Sequence, residues 1–244
     1  MEYKFVVAQE NYEKFAAWRV IYSVPGTAPF PVRLIDEIFQ RAYALMEKVD
    51  SLRLYDPCVW SGYMMTVLGL LHWEKIASMD WSDVNEKVIA LAEKNLSLLS
   101  ETWLKKRIGE LEDYIKLYDK DSHRGALEDA KLLLSMVQQR GHEIKIQCMV
   151  GDIPGREYDI IIADLPYENL TSRIGTKDIQ TTVEDWGKTL KSGGVLVIVT
   201  DKKQRFQPFS WQESRSAFNH GKRRIWFIKK ATGYQLPVAS NNAK

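Results

Sequence analysis

The sequence predicts an α/β fold: a mostly parallel, twisted sheet with helices on both faces, plus an N-terminal helix and a helical insertion. Three observations predict it. Short apolar runs alternate with segments of helical period, the pattern of parallel strands joined by crossover helices. The run Tyr158-Asp159-Ile160-Ile161-Ile162-Ala163 has the β-branched content of a strand buried on both faces. Acids stand where four of the runs end, at the edge where open α/β sheets collect ligands.

The elements follow in order. Tyr3 to Val7 reads as a short strand, and a loop with Pro25, Gly26, Pro29 and Pro31 leads into a helix from about Arg33 to Val49. Its residues Leu34, Ile35, Ile38, Phe39, Ala42, Leu45, Met46 and Val49 form the i, i+3, i+4 stripe of a helix docked on a core. Leu52 to Asp56 reads as a strand, Gly62 to His72 as its helix, Lys75 to Asp83 as a second strand and Asn85 to Leu99 as a second helix. Glu101 to Gly141 carries helix-period leucines and no strand signal. It reads as an inserted helical pair broken near Asp121-Ser122, with Ser122 as an N-cap. Ile144 to Val150, Tyr158 to Ala163 and Gly194 to Thr200 supply three more strands, followed by a basic, aromatic-rich loop and a last strand at Arg224 to Ile228. Residues 1–50 are expected to form a cover and residues 51–244 the body, with the insertion at about 101–141.

A chain of 244 residues with 45% hydrophobic content can bury one large core. The start has no apolar signal core and no stretch is long enough to span a bilayer, so the expectation is a soluble, cytoplasmic protein without a membrane partner. Cys58 and Cys148 lack metal-ligand spacing, which argues against a structural zinc or a disulfide framework. The net charge of +2 hides an asymmetry: residues 201–244 hold ten Lys or Arg against two acids, a surplus of eight, and the rest of the chain is negative by six. A basic face on an acidic body suits attraction to a phosphate backbone, although an ordinary solvated surface would read the same way.

The acids are Asp56, Asp83, Asp152 and Asp164. In a doubly wound sheet their strand ends meet in one crevice. Asp56 precedes the turn Ser61-Gly62 into a helix, and Asp83 follows Gly62 by 21 residues, near the spacing of a ribose-binding acid. Asp152, with Ile153 beside it, is placed to accept from an adenine amino group. Any one of these could be a turn former or cap. Together they favour an adenosine-containing cofactor that needs no phosphate cradle, a description met by S-adenosylmethionine. In Asp164-Leu165-Pro166-Tyr167, the proline holds a carboxylate and an aromatic face in one geometry, able to grip a flat base by edge and face. Lys202, Lys203, Arg205, Phe206, Phe209 and Trp211 interleave cations with aromatics after a strand end, suited to unpaired RNA; the alternative is a loop whose aromatics pack on the sheet.

Asp56-Pro57-Cys58 with Ser61-Gly62-Tyr63, Thr66 to His72, Ile76-Ala77-Ser78, Ser82-Asp83-Val84, Lys94-Asn95-Leu96, Leu98-Leu99-Ser100, Asp164-Leu165-Pro166-Tyr167 and Thr200-Asp201 resemble the AviRa family of avilamycin-resistance ribosomal RNA methyltransferases. The resemblance covers roughly residues 30–230, including the helical insertion. It implies a Rossmann-like methyltransferase that uses S-adenosylmethionine to modify a guanine base of 23S ribosomal RNA, with N1 favoured and N2 possible. The implied partner is 23S ribosomal RNA or the large subunit; a monomer without a metal site is expected. By the same resemblance Asp56, Pro57, Ser61 and Gly62 hold the methionine end of the cofactor, Asp83 and Val84 the ribose side, Asp152 and Ile153 the adenine, and Asp164, Pro166 and Tyr167 the target base. Arg33, at the entry to the first helix, joins the RNA contacts by that match; a snorkelling surface arginine is the other reading.

Two positions depart from the family pattern. Trp60 stands where a glycine lets the backbone approach the cofactor, and Glu168 follows Tyr167 in place of glycine. With Trp60 turned outward, the turn and cofactor binding survive. With the indole in the pocket, the chain is a methyltransferase fold kept as an RNA-binding or ribosome-assembly module. A DNA amino-methyltransferase would also use acid, proline and aromatic at this strand end.

Overall fold

The computed structural model describes residues 3–8, 10–23, 30–47, 50–149, 156–165 and 178–234. Strands β1 (Leu52–Asp56), β2 (Ile76–Trp81), β3 (Lys145–Cys148), β4 (Tyr158–Asp164), β5 (Leu190–Asp201), β6 (Gln212–His220) and β7 (Arg223–Lys230) form one sheet in the order β3-β2-β1-β4-β5-β7-β6. The first five run parallel; β7 is antiparallel to β5 and β6 antiparallel to β7. Chain order reverses between β1 and β4, so the crevice of an open sheet falls at the carboxyl ends of those two strands.

Alternation of side chains divides the core in two. Leu52, Leu54, Ile160, Ile162, Val195, Val197 and Val199 face one way, where they pack with α1 (Val32–Leu45), α2 (Tyr63–Leu71) and α3 (Glu86–Ser97). The insertion, α4 (Glu101–Tyr118) and α5 (Asp121–Gln138), extends that layer. Tyr55, Tyr158, Ile161, Ala163, Leu196 and Ile198 face the other way, toward α6 (Ile179–Lys188) and residues 206–211. Among the described residues no helix is long and apolar enough to cross a membrane.

Several expectations are corrected. Tyr3 to Val7 is not a strand: the backbone N–H groups of Lys4, Phe5 and Val6 all donate to the Glu37 carboxylate, at 2.7, 3.0 and 2.9 Å, leaving that backbone no ladder to join. Glu37 also accepts from Arg41 Nε at 2.6 Å, and with its side chain fully buried it pins the N-terminal segment to α1. Helix α1 stops at Leu45 because Met46 is extended. Ser122 lies inside α5, whose N-cap is Lys120; the preceding break is Asp119 in the left-handed region. Strand β6 lies in what read as a loop. As an edge strand with mostly exposed residues it shows no apolar alternation.

Phe206, Phe209 and Trp211 are buried, so the reading in which they stack on RNA is overturned. Phe209 stacks on Trp211 at 5.2 Å, Phe206 meets Trp226 edge-on at 5.7 Å, and the Trp211 indole N–H donates to the Glu184 carbonyl. The indole lies so close to α6 that a Cβ on Gly187 would come within 1.9 Å of its ring.

Gly187→Ala is therefore expected to destabilise the protein by about 3 kcal/mol through overpacking, read as a lower urea midpoint. Burial pushes the Glu37 carboxyl up, but three N–H donors and Arg41 outweigh it and hold it below its ordinary value near 4.5. Its stabilisation is present above that pH and lost as pH falls through the lowered value. Hydrogen exchange at the Lys4, Phe5 and Val6 amides should accelerate in that acid window, and Glu37→Ala should give fast exchange at neutral pH.

Candidate active site

Asp56 ends β1 and Asp164 ends β4. Leu54 pairs with Ile160 and Tyr55 with Ile161, so Asp164 stands two residues beyond the level of Asp56 on the neighbouring strand. Strand spacing and rise put their Cα atoms about 8 Å apart, and both share the face of Leu54 and Ile162. Asp83 lies two residues past the end of β2, beside β1. The sheet thus brings three of the four acids to one crevice. Asp152, Ile153, Pro166, Tyr167 and Glu168 lie outside the described residues.

Asp56 is buried, and its Oδ1 accepts from Cys58 N at 2.9 Å. Burial raises its pKa well above the ordinary 3.8; the Cys58 N–H opposes the rise, and repulsion from Asp164 and Asp83 adds to it. The Cys58 thiol is pushed up by burial and then by Asp56, Asp83 and Asp164. Among the described residues no cation pairs with Asp56. A cation bound in the crevice would therefore favour the ionised form of Asp56.

The loop after β1 is clamped to that charge. Val59 N donates to the Ser82 carbonyl at 3.1 Å, and Gly62 N to the Val59 carbonyl at 2.8 Å. Asp83 Oδ2 accepts from Trp60 N at 3.0 Å and Oδ1 from Asn85 N at 2.9 Å, so this carboxylate brackets the loop and the entry to α3 while each oxygen keeps a lone pair. Trp60, half-buried, has φ +52°, the left-handed conformation that a glycine would take without strain. The turn thus survives the departure from the family pattern, with its glycine-type backbone carried by a tryptophan. Gly62 cannot be varied so easily: its φ is +71°, and a Cβ there would lie 3.0 Å from the Ala92 carbonyl oxygen. Pro57 is buried, Ser61 half-buried, and Val84 is 59% exposed beside Asp83.

Asn95, a residue to which composition and spacing give no role, is fully buried and holds the same loop. Its amide donates to the Ser61 carbonyl at 2.7 Å and exchanges two hydrogen bonds with the Tyr22 backbone. Its sequence signals are a polar residue on the buried stripe of α3 and its place in the Lys94-Asn95-Leu96 motif, neither of which states what it holds. Arg107 of the insertion is missed in the same way. Its guanidinium donates to the Val20 and Arg19 carbonyls, tying α4 to the N-terminal segment.

Of the expected RNA contacts, Lys202, Lys203 and Arg205 are exposed just past β5. Arg205 donates to the carbonyls of Lys202 and Gln204, so it shapes its own loop. Arg33 donates to the Val6 and Val7 carbonyls, and its guanidinium lies 3.9 Å from the Tyr3 ring centroid, so most of its capacity is spent within the chain. Phe206 is excluded by burial, as described above.

A seven-stranded sheet of this order, with its reversed strand near one edge and acids at the carboxyl ends of β1 and β4, belongs to a Rossmann-like methyltransferase. The family model for the rRNA methyltransferase AviRa matches residues 1–223, and the chain belongs to that family. It is 31% identical over 216 residues to the 23S rRNA (guanine(2535)-N(1))-methyltransferase of Streptomyces viridochromogenes, covering 83% of this chain and 86% of that protein. Structures of the rRNA methyltransferase AviRa from the same organism, at 1.5 Å and 2.4 Å, superpose with a TM-score of 0.82 at 27% identity, covering 94% of this chain and 96% of theirs.

Trp60→Gly is expected to keep the turn and remove left-handed strain of about 1 kcal/mol, leaving methyl-donor affinity equal or tighter. Trp60→Val places a β-branched residue at the same φ and should weaken donor binding about tenfold. Calorimetric titration of both variants checks the pair.

Proposed function

We propose that this chain transfers the methyl group of S-adenosylmethionine to N1 of a guanine in 23S ribosomal RNA. Membership of the AviRa family supports the reaction class. The observation that carries the assignment to these residues is the convergence of Asp56, Asp83 and Asp164 in one crevice with no cation paired to Asp56 among the described residues. The donor carries a sulfonium and an ammonium, so its charge fits that crevice. When bound, it supplies an activated methyl group on a cationic sulfur.

The residues then divide the work. Asp56 and the turn through Ser61 and Gly62 hold the methionine end. Asp83 uses its remaining lone pairs for the ribose hydroxyls, and Val84 covers the ring side. Asp152 and Ile153 would hold the adenine. Asp164 accepts the guanine N1–H and takes its proton as that nitrogen attacks, while Tyr167, next to Pro166 in the motif, would offer an aromatic ring to the splayed base. Alignment of nucleophile and methyl group supplies most of the acceleration, up to roughly 7–11 kcal/mol.

The test is incubation of the protein with unmodified 23S ribosomal RNA and isotopically labelled donor, followed by mass mapping of the nucleosides. 1-Methylguanosine at one position is expected; N2-methylguanosine would overturn the choice of nitrogen, and no incorporation with intact donor binding would overturn the reaction. Asp164→Ala should abolish transfer while RNA affinity changes little. Equal losses in both would make it a structural cap.

The raised pKa of Asp56 gives a pH dependence with a fixed sign. Burial, with Asp164 and Asp83 beside it, favours the protonated form of Asp56 more in the folded protein than in the unfolded chain. Its contribution to stability is complete below the ordinary value near 3.8 and declines as pH rises through the raised value. A cationic donor prefers the ionised acid, so donor affinity should rise with pH across that window and then level. Asp56→Asn should flatten the rise, weaken donor binding about 10- to 100-fold and raise the melting temperature of the free protein at neutral pH.

A further inference from the structure

We propose that Arg215 and Arg224, gathered on the indole of Trp226, bind the backbone phosphates of the RNA strand that carries the target base. The inference rests on the reading above and adds the surface that holds the RNA.

The sheet sets the position. Asp164 pairs with Val199 on β5, and Val199 pairs with Ile225 on β7, so Ile225 lies two strand spacings, about 10 Å, from Asp164. Arg224 is one residue further toward the carboxyl end of β5, opposite Thr200. Its guanidinium lies 4.3 Å from the Trp226 ring centroid, and that of Arg215 on β6 lies 5.5 Å from the same centroid. The indole is itself fixed by a hydrogen bond from its N–H to Thr200 Oγ1 at 3.2 Å and by the edge of Phe206 beneath it.

The two cations share one indole, and among the described residues no anion pairs with either. Among the described residues neither forms an ion pair, the Arg224 side chain donates to no acceptor, and Arg215 donates only to the Phe206 carbonyl at 3.0 Å. Two like charges held side by side repel unless an anion joins them, and guanidinium forks presented on an aromatic ring match phosphate oxygens at low entropic cost. Lys202, Lys203 and Lys222, exposed at the turns on either side, extend the positive field along the same rim. Arg224 and Trp226 alternate with Ile225 and so lie on the face of Ile198, opposite the face that Asp56 and Asp164 share; charge thus changes sign across the carboxyl-end rim of the sheet, over about two strands. A single strand splayed toward Asp164 would place its base on the negative side and its phosphates on the positive one.

The test is a salt titration of RNA binding by the full chain, using fluorescence anisotropy of a short single-stranded RNA, for wild type and Arg215→Gln/Arg224→Gln. The slope of log affinity against log salt should fall by about 0.7 for each phosphate that the variant no longer neutralises, with S-adenosylmethionine affinity and melting temperature unchanged. Lys116→Gln, far out on the insertion, should leave the slope unaltered. An unchanged slope in the double variant, or a parallel loss of donor affinity, would overturn the proposal. The two readings fail separately. A double variant that binds and methylates 23S ribosomal RNA like wild type removes this surface alone. A wild type whose slope depends on these arginines, yet which transfers no methyl group, removes the reaction alone.

Discussion

A carboxylate buried at the end of a strand, with two more acids facing it, is the constraint around which this molecule is organised. Among the described residues Asp56 keeps one backbone N–H as partner and meets the negative charge of Asp83 and Asp164. Such an arrangement costs stability in the free protein, because a desolvated acid must hold its proton or endure repulsion. The sheet tolerates it because Leu52 and Leu54 of β1 and Ile160 and Ile162 of β4 pack on one face while Tyr55, Ile161 and Ala163 pack on the other, which fixes the strand ends wherever the charge falls. A flexible loop bearing the same acids would separate them.

The loop between β1 and α2 converts that constraint into a shaped site. Its backbone is determined several times over: by Ser82 through Val59, by Asp83 through Trp60, by Asn95 through Ser61, and by the close approach of Gly62 to Ala92. Asp83 in this arrangement is a structural bracket and a candidate ribose ligand at once, since each oxygen accepts one backbone hydrogen bond and retains a lone pair. Asn95 reaches the same loop from α3 and also holds Tyr22, so the N-terminal segment and the crevice share one buried amide. Disturbing the cover would therefore reach the site through Asn95.

The sheet was legible in the sequence where both faces are buried, because burial on two sides leaves an unbroken apolar run. Tyr158 to Ala163 and Gly194 to Thr200 are such runs. Helix α1 was legible for the corresponding reason at a period of 3.6, and the acids because strand ends of a wound sheet converge by topology. What was hidden depends on contacts distant in sequence. Strand β6 has one neighbour and a solvated face, so nothing in its composition marks it as a strand. Phe206 and Trp211 look like an RNA platform until the rest of the fold is present: Trp226 meets the ring of the first, and a bare glycine on α6 receives the indole of the second. Lys4, Phe5 and Val6 look extended and apolar, but their N–H groups end on a carboxylate some thirty residues away.

Trp60 shows why a motif read letter by letter can mislead about a site. The family pattern places a glycine there, and glycine's usual contribution is freedom to adopt positive φ. The surrounding hydrogen bonds enforce that conformation on the tryptophan, so the geometry of the turn is preserved by its neighbours and the local cost is carried by the rest of the fold. The same logic cannot extend to Gly62, where backbone conformation and the space beside Ala92 both forbid a side chain. Two glycine positions of one motif are thus constrained differently: one by dihedral angle alone, which a network of hydrogen bonds can impose on another residue, and the other by dihedral angle and the crowding of Ala92 together, which no such network relieves.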